Sequence, residues 1–144
     1  MIKKISTFMA TTLPIVAFAL TPTGARAQSY SGNFPVTLTQ SQIGGNATYC
    51  VTLTDNGTAG RPHSGPASVT GVVPGGPLVG TFQLIGQLLT VTIQDPSSGS
   101  GQDAGLVFVA PASDGHIGTG VFDEVFGGEE LNSAVAAFGV KNGC

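Results

Sequence analysis

Residues Gly80–Gln94 read Gly-Thr-Phe-Gln-Leu-Ile-Gly-Gln-Leu-Leu-Thr-Val-Thr-Ile-Gln and fold back on themselves in one economical way. With Gly86 and Gln87 at the centre of a two-residue turn, Leu84 faces Leu89 and Phe82 faces Val91. Between them, Gln83 faces Thr90 and Thr81 faces Thr92. Residues opposite each other in an antiparallel pair point to the same side. One face is therefore apolar and the other is Thr and Gln, a sorting that the 3.6-residue period of a helix does not produce. Glycine at the first central position suits a type II′ turn.

Other stretches extend the pattern. Phe34–Gln40 and Tyr49–Thr54 alternate, and a turn at Gly44-Gly45 would pair Leu38 with Val51, Val36 with Leu53 and Thr37 with Thr52. Pro66–Val73 would return through Gly75-Gly76, pairing Val69 with Phe82, Ala67 with Leu84 and Thr70 with Thr81, and setting Gly71 against Gly80. Gly105–Ala110 and His116–Phe122 make a hairpin around Asp114-Gly115, a type I′ signal, with Phe108 facing Val121. Gly118 and Gly120 interrupt its second strand and suggest a bend or a close backbone approach. Asn132–Val140 alternates as a strand, with a short helical turn anticipated near Glu130 because Ala-Val-Ala-Ala also suits a helix.

About eight short strands, joined mostly by hairpins, predict an all-β domain. Each strand has one apolar face to bury, and closing the sheet into an eight-stranded up-and-down antiparallel barrel does this while removing its edges. A two-sheet β-sandwich is the alternative. This architecture is similar to that of the small secreted barrels of the avidin and lipocalin groups. The tryptophans that line an avidin pocket and the Gly-x-Trp start of lipocalins have no counterpart in a chain without Trp, so the likeness carries over no site. An outer-membrane barrel would need strands of about 9–11 residues and aromatic girdles. These strands are shorter, and the chain holds only two Tyr.

The first residues speak to compartment. Lys3 and Lys4, an apolar run from Phe8 to Leu20 and Ala25-Arg26-Ala27 have the organisation of a secretory signal peptide of bacterial type. Cleavage after Ala27 would leave residues 28–144 as a single β domain, periplasmic or secreted, with no membrane span. It would also leave eight acidic residues against Arg61 and Lys141, a formal charge of −6 in place of −3. That balance leaves nothing from which to assemble a phosphate-binding patch, so nucleic acid is not an expected partner. In an exported chain, Cys50 and Cys144 are expected to form a disulfide.

The sequence contains no nucleophile elbow, phosphate loop or zinc-ligand spacing. Strand parity is more informative, because successive connections of a meander lie at alternate ends. It places Asp55, Arg61, His63, Asp114, His116 and Lys141 at one mouth, with Arg61, His63, Asp114 and His116 as candidate ligand-binding residues. Asp95, Asp103, Asp123, Glu124, Glu129 and Glu130 fall at the other, where carboxylates could gather Ca²⁺. Arginine could fix a carboxylate or phosphate by a bidentate contact. The leading expectation is a non-enzymatic module that binds a small ligand or an envelope protein. A structural envelope protein is the next reading, and a small hydrolase or isomerase using His63 or His116 the third.

Overall fold

The alternating stretches form nine strands in a computed structural model that describes residues 28–39, 46–57, 62–72, 77–95, 104–126 and 129–144. They are β1 (Gly32–Thr39), β2 (Ala47–Leu53), β3 (Ser64–Thr70), β4 (Leu78–Ile85), β5 (Leu88–Asp95), β6 (Ala104–Ser113), β7 (His116–Ile117), β8 (Thr119–Phe126) and β9 (Glu129–Phe138). Eight of them close a ring in the order β5-β4-β3-β2-β1-β9-β8-β6, with β6 paired back to β5. The two-residue β7 lies outside the ring against the end of β6. The domain is thus an antiparallel barrel rather than a sandwich. Residues 1–27, the turns expected at Gly44-Gly45 and Gly75-Gly76, Arg61 and Asp103 lie outside the described residues.

The hairpin that anchors the sequence reading has the expected register, with Leu84 opposite Leu89 and Phe82 opposite Val91. Phe82, Leu84, Leu89 and Val91 are buried, while Thr81, Gln83 and Thr92 are exposed and Thr90 is half-buried. Gly86 has φ 63° and Gln87 is not left-handed, as a type II′ turn requires.

Two expected registers are corrected, each by four residues. Leu38 pairs with Ala47 and Val36 with Tyr49, so Val51 lies opposite Phe34 rather than Leu38, and Thr37 meets Thr48. Val69 pairs with Leu78 rather than Phe82, and Ala67 with Gly80 rather than Leu84, so Gly71 and Gly80 are not opposed. An even shift keeps every side chain on its face, so alternation alone could not detect it.

The third correction is odd-numbered. β7 continues the tight hairpin, with Ala112 opposite Ile117, and Asp114 and Gly115 are both left-handed (φ 52° and 76°) as type I′ demands. At Gly118 one extra residue enters the strand, and its N–H bonds the Pro111 carbonyl at 2.8 Å. Beyond this bulge Phe108 pairs with Phe122, not Val121. Phe122 is 1% exposed and Val121 49%, so the bulge decides which of the two enters the core.

No helical turn forms near Glu130. β9 is continuous, and the register shifts by one between Glu124 and Val125, leaving Leu131 as the extra residue. Ring closure explains why strand overrides the helical propensity of the alanines, since β9 must pair with both β8 and β1. Ala134 and Ala136 point inward, and their small side chains leave room for the core aromatics. Phe34, Phe82, Phe108 and Phe122 are each at most 1% exposed, and the Phe108 and Phe122 rings lie 5.0 Å apart.

A short tail follows β9 across the outside of β1. Gly139 donates to the Pro35 carbonyl at 2.7 Å and Asn142 to the Asn33 carbonyl at 2.6 Å. In an antiparallel ladder, a residue's N–H and C=O point to the same side. The donor that Pro35 lacks would therefore face the tail and not β2, which is how proline is accommodated in a ring strand. Asn142, with φ 62°, turns the tail so that Cys144 forms a disulfide with Cys50 on β2 (Cα–Cα 6.1 Å). The corrected register makes this reachable, because Cys50 lies opposite Pro35 beneath the tail, about 13 Å along the barrel from its expected partner Thr39. The β1–β9 seam has four residue pairs among the described residues, against eight between β5 and β6.

Candidate binding site at one mouth of the barrel

The alternation of Phe34, Val36 and Leu38 extends backward through Gly32 to Tyr30, which is 3% exposed and belongs to the core. The segment before β1 thus crosses the barrel mouth with its aromatic ring turned inward. Its anchor is Asp55, just beyond β2, whose carboxylate side chain is 1% exposed. Asp55 Oδ2 accepts the Tyr30 N–H at 2.9 Å and stands 2.7 Å from His63 Nδ1, while Oδ1 accepts the Gly57 N–H at 2.8 Å. The Asp55 N–H in turn donates to Ser31 Oγ at 2.8 Å. The His63 ring packs edge-on against Tyr30, with centroids 5.1 Å apart.

Burial by itself would raise the Asp55 pKa. The Tyr30 and Gly57 N–H groups and the hydrogen bond and charge of His63 outweigh it, and the pKa is lowered. The Tyr30 phenol is shifted upward, chiefly by burial. A backbone hydrogen bond from Gly115 opposes that shift, and the charges of Asp114 and Asp55 add to it. Tyr30 therefore links the His63 loop to the Asp114-Gly115 turn.

Around this plug sits the rest of the rim. Lys141 donates to the Ser29 carbonyl at 2.9 Å, joining the tail to the N-terminal segment. His116 is exposed and lies on a ridge between two surface hollows of about 250 and 200 Å³. The structure thus places His63, Asp114 and His116 at one mouth, two of them linked through Tyr30, with Arg61 outside the described residues. Tyr30, Asp55 and Lys141 were not singled out as site residues by the sequence. The signal for Tyr30 was present, two steps back along the β1 alternation.

At the opposite end, the ladders align Asp95, Ala104, Phe126 and Glu129 in one row across β5, β6, β8 and β9. Glu129 and Glu130 are exposed, whereas Asp123 and Glu124 are half-buried on β8. Glu124 pairs with Leu106 and Asn132, both buried, and so sits on the inward side. Tyr49 is shifted upward there by burial, with the charge of Glu124 adding to it. Among the described residues, no three His, Cys, Asp or Glu side chains come together as a metal site. Asp103 lies outside those residues, and of Asp95 only the backbone is described.

Comparison with known proteins finds no family model, no curated protein and no solved structure that matches this chain.

Proposed function

We propose that the chain is an exported bacterial module, periplasmic or secreted, that binds a small ligand or an envelope protein without catalysing a reaction, and that contact is made at the Tyr30 mouth. The observation that carries this reading is the use to which Asp55 and His63 are put. An Asp–His pair is the orienting half of many nucleophilic sites. In this barrel the same carboxylate is spent on two backbone N–H groups and ties the N-terminal segment over the mouth. Among the described residues, neither His63 nor His116 is hydrogen-bonded to a hydroxyl or thiol. The pair behaves as a clasp that fixes the rim of the barrel, and a fixed rim is a surface suited to binding. The disulfide and the leader support export.

Titration calorimetry with small organic anions and with Ca²⁺, on wild type and Arg61→Ala, tests the reading. Anion binding weakened by Arg61→Ala places the ligand at this rim. Ca²⁺ binding moves the functional end to Asp95, Asp123, Glu124, Glu129 and Glu130. No heat with either class leaves a structural envelope protein as the better reading. Export is checked separately by mass spectrometry of the secreted protein, which should begin at Gln28; a chain retaining Lys3 and Lys4 refutes it.

A further inference from the structure

The smaller of the two hollows beside His116 has a construction that the rim as a whole lacks. Its floor is apolar, made by Phe34 of β1, Ile117 of β7 and Phe138 of β9. Its other wall is the tail, where Val140 and Lys141 stand. His116 and Lys141, both exposed, are its charged or ionisable lining residues, and no acidic side chain lines it. At about 200 Å³ it falls below the roughly 300–1,000 Å³ typical of clefts for drug-sized molecules.

We infer that this hollow binds a small carboxylate with a compact aromatic or branched body, and that the Cys50–Cys144 disulfide completes the site by holding the tail wall in place. The inference rests on the reading of this mouth as a binding rim and names its ligand class. Charge and shape select the occupant together. An ammonium group and an imidazole at the rim favour an anion in a chain that is otherwise acidic. The Phe34, Ile117 and Phe138 floor favours an apolar body, and the volume excludes a long acyl chain. Lys141 is positioned rather than free, because one of its three donor hydrogens goes to the Ser29 carbonyl. His116 presents at least one N–H donor in either charge state. The tail wall is held against β1 by the Gly139 and Asn142 backbone bonds and is pinned to β2 at its end by the disulfide, so its position depends on the oxidised cystine.

The test is an NMR titration of the oxidised protein with benzoate, benzylamine and acetate, which separate charge from body. Benzoate should shift the Ile117 methyl groups and the His116 and Lys141 resonances saturably. Benzylamine should not, and acetate should bind about tenfold more weakly or less. Lys141→Gln should weaken benzoate by roughly tenfold or more, the loss of one charge-assisted contact. Reduction should abolish the shifts while the β4–β6 amides keep their dispersion. Benzylamine shifting Ile117 as well as benzoate does would overturn the anion assignment, as would a Lys141→Gln protein that binds benzoate normally. Full binding after reduction would overturn the role of the disulfide. Benzoate shifts confined to Asp114, His63 or Arg61 would overturn this hollow while leaving the rim reading intact. No shift with any probe overturns the hollow, and the calorimetric screen then decides the rim.

Discussion

Replacing Asp55 with asparagine probes the clasp directly. The buried carboxylate accepts the Tyr30 and Gly57 N–H groups and meets His63 Nδ1, a total of three contacts shared between two oxygens. An asparagine side chain keeps one acceptor oxygen and turns an NH₂ group toward the donors left on the other side. At least one donor then loses its partner and the remaining bonds lose their charge. With hydrogen bonds to charged groups contributing about 1.5–3 kcal/mol each, Asp55→Asn should cost about 2–4 kcal/mol at neutral pH. The pH dependence supplies an independent check. The folded-state pKa of Asp55 lies below its ordinary 3.8, so its ionised form contributes stability that is fully present above that ordinary value and is lost as pH falls through the lowered one. Wild type should therefore lose stability through the acid range, and Asp55→Asn should show a shallower acid limb. Urea unfolding at a series of pH values, followed by circular dichroism, measures both quantities. A loss below about half a kcal/mol with an unchanged acid limb would refute the clasp.

Three further outcomes test the barrel. Phe82→Ala should cost about 3–5 kcal/mol and Thr92→Ala less than about half a kcal/mol in urea unfolding, because the first is buried and the second exposed; equal losses would contradict the assigned faces. Deleting Gly118 should remove the extra residue and let the tight hairpin run into β8 without a bulge, leaving Phe122 buried opposite Phe108 and the amide dispersion of the barrel intact; a Phe122 turned outward, or no folded barrel, in thermal unfolding and amide spectra would contradict the bulge assignment. Breaking the disulfide, whose cysteines are 94 residues apart, should cost up to about 4.7 kcal/mol on the chain-entropy account, measured by comparing oxidised protein with Cys50→Ser/Cys144→Ser; an alkylatable Cys144 in native protein would contradict the bond itself.

The sequence carried face information more faithfully than position. Alternation assigns each residue to the inside or the outside, and those assignments hold along β1 to β5. It carries no information about slips of two or four residues, and the paired glycines drew both ladders four residues out of register. The expected β1–β2 register would also set Gln40 opposite Tyr49, and that poor match was the trace of the error. The β6–β8 hairpin failed differently, since one extra residue at Gly118 exchanges Val121 for Phe122. Two glycines in a short strand signalled a disturbance there without revealing its sense. At the mouth, parity brought His63, Asp114 and His116 to one end. Parity also put Asp55 and Lys141 at that end, but the tie between Asp55 and Tyr30 was not legible because its donor is a backbone N–H, and those donors look alike in every residue.

The β1–β9 seam gives the closed ring a preferred place to come apart. With four residue pairs on the described strands, it is among the least extensive ladders of the barrel, and the tail crosses it on the way to Cys50. The cystine therefore acts mechanically as a hoop, carrying tension from β9 over β1 to β2. Cutting the hoop leaves the core side chains in place but lowers the free energy of a local opening. Amide hydrogens of Val36–Thr39 and Val135–Phe138 should then exchange with solvent well before those of the β4–β5 hairpin. A barrel opened there exposes two unpaired strand edges at once, so loss of the hoop should be felt first as self-association and only later as unfolding.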